Sequence, residues 1–106
     1  MAKKFDIILS ECIDRGIGTL GKSVATMIYF RFERDYGLKR KDIPQNMELF
    51  TKALRSIFGD GAQVLERLII EQLAKSTGIP ISTKKALLTT VKETIANYAK
   101  MEHKLG

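Results

Sequence analysis

Gly16-Ile17-Gly18-Thr19-Leu20-Gly21-Lys22-Ser23, GIGTLGKS, fits the phosphate-loop pattern GxxxxGK[ST], with GxGxxG nested inside it. How this stretch is read decides the fold. If a buried strand runs into Gly16, the turn aims backbone N–H groups and a helix N-terminus at phosphate, and the chain is an α/β nucleotide binder. Without that strand, the glycines only punctuate helices. Upstream, Ile7-Ile8-Leu9 is separated from Gly16 by Ser10-Glu11-Cys12-Ile13-Asp14-Arg15, so no apolar run abuts the loop. A βαβ unit takes about 30 residues or more, and 106 residues leave almost no room for four or five strands with their crossovers. The one acid placed to organise magnesium, Glu71 after Leu68-Ile69-Ile70, belongs to a helical stripe that continues to Leu73. Nucleotide binding at Gly16, Gly21, Lys22 and Ser23 is therefore a remote alternative. Gly16 and Gly18 are expected instead to form a flexible joint between two helices, with Lys22 and Ser23 on the first turn of the second.

Outward from this joint, Gly37, Gly59 and Gly78 each follow an amphipathic stretch, where a left-handed residue would end a helix. Leu20, Val24, Met27, Ile28 and Phe32 share a stripe, widened by Tyr29 and Phe30, which predicts a central helix buried on more than one side. Asn46 is placed as the N-cap of a helix carrying Met47, Phe50, Leu54, Ile57 and Phe58. Asp60, with Gln63 in capping-box position, opens a helix carrying Val64, Leu65, Leu68, Ile69 and Leu73. The last helix turns Leu87, Leu88, Val91, Ile95 and Tyr98 inward and Lys84, Lys85, Lys92 and Lys100 outward. Phe5, Ile8, Leu9, Cys12 and Ile13 suit a helix face, although FDIIL could also be a short strand; helix is the favoured reading. Together these predict one all-α domain, a compact bundle of four to five helices over about residues 3–15, 19–36, 46–58, 60–76 and 83–101.

A chain of 106 residues can bury one core without disulfides or a structural metal. Its single cysteine, Cys12, suits a reducing cytoplasm and a buried position. The one histidine, His103, has no partner ligands in sequence, so no metal or cofactor is expected. No apolar run approaches the roughly 18 to 20 residues of a membrane span, and no catalytic carboxylate pair or small-molecule substrate is indicated. Glu48 with Lys52 and Glu71 with Lys75 are spaced as ion pairs on solvated faces. The net charge of +6 leaves nucleic acid open as a partner, through Lys39, Arg40, Lys41, Lys84 and Lys85. The central helix, in contrast, carries more apolar area than one face hides, which points to Tyr29, Phe30 and Tyr36 as a surface for a second copy or another protein.

Leu20-Gly21-Lys22-Ser23-Val24, Tyr29, Glu33, Tyr36-Gly37-Leu38, Asp42-Ile43-Pro44, Phe50, Ile57-Phe58-Gly59-Asp60-Gly61-Ala62 and Leu65-Glu66-Arg67-Leu68-Ile69 together resemble the Nitrosopumilus output domain family. FGDGA followed by LERLI is the most specific part. The resemblance implies a small archaeal helical module, found alone or joined to signalling modules, that acts through contacts as a dimer and has no established catalytic residues. Lys84-Lys85 and the lysine-rich C-terminus depart from that pattern, and any role they have would be particular to this chain.

Overall fold

A computed structural model describes the backbone of residues 2–81 and 85–105 and the side chains of residues 4–81 and 85–100. These residues form helices α1 (Ala2–Gly18), α2 (Lys22–Tyr36), α3 (Met47–Phe58), α4 (Ala62–Thr77) and α5 (Leu87–Leu105). Short 3-10 helices at Arg40–Gln45 and Gly59–Gly61 connect them, and the described residues contain no strand. The radius of gyration, 13.5 Å, is close to the roughly 13 Å of a folded chain of this size. The all-α, single-domain bundle expected from periodicity is the fold observed.

The ambiguous N-terminal stretch is helical, and the reason is visible in its burial. Phe5, Leu9, Cys12, Ile13 and Ile17 repeat at three- and four-residue intervals and are all buried, so a helix hides the whole set where a strand would expose half of it. Alpha1 packs chiefly on α4: Cys12 Sγ donates to Ser76 Oγ at 3.6 Å, Arg15 Nη1 donates to the same oxygen at 3.4 Å, and Gly16 lies against Ile69. A Cβ at Gly16 would come within 2.7 Å of Ile69 Cγ1. Gly16 is thus a point of close helix approach, and the flexible joint expected there is displaced: α1 runs on through Gly18. The chain turns at Thr19–Gly21, where Gly21 has φ +99° and ψ 153°, a conformation that side chains exclude.

The other helix ends depart from expectation in their caps. Gly37 and Gly78 end α2 and α4 in the left-handed conformation, whereas Gly59 has positive φ with ψ −130°. Asn46 precedes α3 but makes no side-chain cap, its Nδ2 donating backward to the Asp42 carbonyl at 2.8 Å. No side-chain cap forms at Asp60 either, because Gly59–Gly61 continues as a 3-10 turn into α4. Neither Glu48 and Lys52 nor Glu71 and Lys75 closes an ion pair; the described ion pairs lie elsewhere.

Phe32 from α2 meets Phe50 from α3 edge-on at 5.5 Å, and Phe5 meets Tyr98 from α5 at 5.8 Å. Leu65, Ile69, Ile70 and Leu73 of α4 complete the centre with Leu87 and Val91 of α5. Thr90 and Thr94 are buried as well. Their hydroxyls escape a hydropathy reading, though Thr90 Oγ1 is satisfied locally by the Ala86 carbonyl at 3.0 Å.

Candidate functional site

On α2 the structure divides the wide stripe into two rows. Ala25, Ile28, Tyr29, Phe32 and Tyr36 face the core, with Ile28 and Phe32 fully buried. Val24, Met27 and Phe30 face away, 38, 50 and 58% exposed, as does Leu20 (38%) in the turn before the helix. The expectation that Leu20, Val24 and Met27 join the core is therefore corrected. Their row continues at helical spacing to Arg31 and Arg34, so turning it inward would bury two guanidinium groups. The opposite row instead offers Phe32, Tyr29 and Tyr36, which bury more apolar area per residue.

Of the aromatic residues singled out from sequence, only Phe30 is presented to solvent. Tyr29 is half-buried, and its hydroxyl donates to Asp14 Oδ1. The Arg40 guanidinium lies over its ring at 4.3 Å and reaches the same carboxylate at 2.9 Å. Burial, followed by the hydrogen bond to Asp14, holds the Tyr29 phenol well above its ordinary pKa. This cluster joins α1, α2 and the 3-10 helix after α2, which is a structural use of Tyr29. Tyr36 likewise packs against the core from its edge.

The exposed row is polarised. Its N-terminal half carries Val24 and Met27 beside Ser23 and Thr26, with Leu20 of the preceding turn next to them in sequence. At its C-terminal end, Arg34 lies over the Phe30 ring at 5.4 Å and donates from Nε to Asp35 at 2.7 Å. That bond, foremost, draws the Asp35 carboxyl below its usual range. Arg31 shares Asp35 at 3.7 Å, but its Nε is buried with no hydrogen-bond partner. Two guanidiniums therefore converge on one carboxylate.

The basic residues singled out from sequence do not gather into one patch. Arg40 is held by Asp14 and Tyr29. Lys41 lines a hollow with Asp6, Ile7 and Glu11 of α1, and Gln45 in the same hollow donates to Asp6 at 2.6 Å. Lys39 is exposed. Lys85 bonds both oxygens of Glu93 at 2.9 and 3.0 Å, while Lys84 and the His103 side chain lie outside the described residues. The acidic flank of α1 was legible as Asp6, Glu11 and Asp14 at near-helical spacing, but its pairing with residues 39–45 is tertiary.

At the phosphate-loop match, the geometry required for nucleotide is missing. Gly16 and Gly18 are helical, and the N–H groups of Thr19, Leu20 and Gly21 bond back to Gly16, Ile17 and Gly18 at 3.3, 3.0 and 3.0 Å. No strand leads into them, so Gly16, Gly21, Lys22 and Ser23 form no cradle of inward-pointing amides. Lys22 and Ser23 stand exposed on the first turn of α2.

One buried acid was missed altogether. Glu66 is 5% exposed, accepts from Arg55 Nε at 3.4 Å and from the Leu87 backbone N–H at 3.5 Å, and so ties α4 to the start of α5. It borders a hollow of about 280 Å³ with Arg55, Gln63, Arg67 and Lys85. Its position within LERLI, between Leu65 and Ile69, was the available signal. Among the described residues no group of three or more His, Cys, Asp or Glu could hold a metal ion, and no helix is long and apolar enough to cross a membrane. Cys12 is buried, which raises its thiol pKa despite the Ser76 contact. Comparison with protein-family models, curated proteins and solved structures found no match.

Proposed function

We propose that this protein is a non-enzymatic helical interaction domain, of the kind that passes on a signal by contact, and that the outer face of α2 is its docking surface. The supporting observation is the exposed row Val24, Met27 and Phe30 on α2, extended by Leu20 of the turn that precedes it. Single exposed apolar side chains are ordinary, but several in register on one helix mark a contact site. The resemblance to the Nitrosopumilus output domain family, with its cytoplasmic archaeal setting, belongs to the same proposal. Nucleic-acid binding takes second place because Arg40 and Lys85 are ion-paired with Asp14 and Glu93 and Lys41 shares its hollow with Asp6 and Glu11.

The test is an amide chemical-shift titration with an amphipathic helical peptide carrying a leucine stripe and neutral glutamine flanks, together with light scattering over a concentration series. Shifts confined to Leu20–Arg34, or self-association, should disappear in Met27→Asp. A monomer whose α2 amides ignore the peptide refutes the reading.

A further inference from the structure

We infer that the outer face of α2 receives an acidic amphipathic helix of another protein, with apolar side chains on Leu20, Val24, Met27 and Phe30 and carboxylates against Arg31 and Arg34. This rests on the docking reading above and adds the chemistry of the occupant. The charge at the C-terminal end of the row selects it. Among the described residues Asp35 alone answers both Arg31 and Arg34, whose side chains are 39 and 57% exposed. Two partly exposed guanidiniums that share one carboxylate keep solvent-facing N–H groups, which an arriving carboxylate can take up through charge-assisted bonds.

A second copy of the chain fits this face poorly. Parallel pairing of two α2 helices sets Arg31 and Arg34 against their own counterparts, and like charges oppose association. Antiparallel pairing lays them over Leu20 and Val24, which desolvates charge against apolar carbon. The area is also small. At roughly 200 Å² per large side chain, four of them exposed to the extent seen supply under about 400 Å², half of the roughly 800 Å² per partner of a stable complex. One helix anchored at i, i+4 and i+7 is the recognition mode that fits a short row of this kind.

Three peptides with the same leucine stripe test the inference, each carrying a pair of Glu, Gln or Lys at both ends so that either orientation brings a pair to Arg31 and Arg34. Fluorescence anisotropy at low salt should rank them Glu tighter than Gln tighter than Lys, with about tenfold or more between the extremes. That gap should shrink as salt is raised. The double variant Arg31→Glu, Arg34→Glu should invert the order; if circular dichroism shows it unfolded, the single exposed change Arg34→Glu should narrow the gap. Equal binding of all three peptides, abolished by Met27→Asp, overturns the acidic partner while the docking face stands. A Met27-dependent dimer that excludes every peptide makes a second copy the occupant and also overturns it. No binding and no dimer defeats the docking reading itself.

Discussion

Replacing Gly16 and Gly18 separately by alanine should move stability in opposite directions, although the two sit two residues apart in the same helix. An alanine gains up to about 1 kcal/mol over glycine inside a helix, from reduced backbone freedom in the unfolded chain. At Gly18 nothing lies within 4 Å of the added Cβ, so Gly18→Ala should keep a part of that gain, diminished at the helix end. At Gly16 the Cβ would sit 2.7 Å from Ile69 Cγ1, with the Ile69 backbone nitrogen and Cα at 3.6 and 3.7 Å. Ile69 is fully buried and β-branched, so it has little room to swing away. Overpacking of this kind costs about 1–3 kcal/mol, which outweighs the helix gain. The expected net is a loss of about 1–2 kcal/mol, a drop of several degrees in Tm for a chain of this size. Urea denaturation followed by helical circular dichroism measures both, with the m-value unchanged. Combining Gly16→Ala with Ile69→Ala should show a favourable coupling of about 1 kcal/mol, since the offending atom is gone. If Gly16→Ala stabilises as much as Gly18→Ala, the close α1–α4 approach is not what glycine serves there.

Gly21→Ala should destabilise by about 1–3 kcal/mol through backbone strain alone, because its φ is +99° and its surroundings are open; a synthetic chain with D-alanine at this position should stay near the glycine protein by the same urea assay. Glu66→Ala should cost about 1–3 kcal/mol by leaving Arg55 and the Leu87 N–H without their acceptor, and amide exchange should quicken at the start of α5 ahead of the α1 core. Tyr29 supplies a pH dependence. Its folded pKa is raised, so its contribution is complete below the ordinary tyrosine value near 10 and falls as pH rises, where the unfolded chain loses the proton first. The slope reaches at most about 1.4 kcal/mol per pH unit. Denaturation between pH 9 and 11 should show a shallower loss in Tyr29→Phe than in the original protein, and an equal loss in both removes Tyr29 as its source.

What could be read from the sequence was mostly what a helix repeats. Phe5, Leu9, Cys12 and Ile13, or Phe50 and Leu54, carry their burial in their spacing. Which of two plausible rows on α2 turns inward was not legible from apolar content alone. Following the outer row as far as Arg31 and Arg34 would have decided it, because charge forbids what hydropathy permits. Tyr29 was legible as apolar but not as a hydrogen-bond donor, since Asp14 and Arg40 reach it from separate segments. The same limit hid Glu66, which makes sense only when the start of α5 is brought to it. Lys39, Arg40 and Lys41 read as a basic cluster in sequence, and folding sets that segment on the acidic side of α1.

GIGTLGKS acts on the proposed docking face through geometry. Gly16 lets α1 lie directly on α4 just before the helix ends at Gly18. The three consecutive turns at Thr19, Leu20 and Gly21, closed by a glycine-only conformation, then set the direction in which α2 leaves and how far it is rotated about its own axis. A helix carrying two apolar rows needs such an external constraint, because its own pattern would allow either row to pack. With the turn in place, Ile28 and Phe32 meet Phe50 and the core, and Leu20, Val24, Met27 and Phe30 are left outward with Arg31 and Arg34. Damage to the turn should therefore weaken peptide binding beyond what lost stability explains, whereas Glu66→Ala, remote from α2, should leave binding by the folded protein unchanged. The comparison separates a turn that merely connects two helices from one that determines which face of α2 a partner meets.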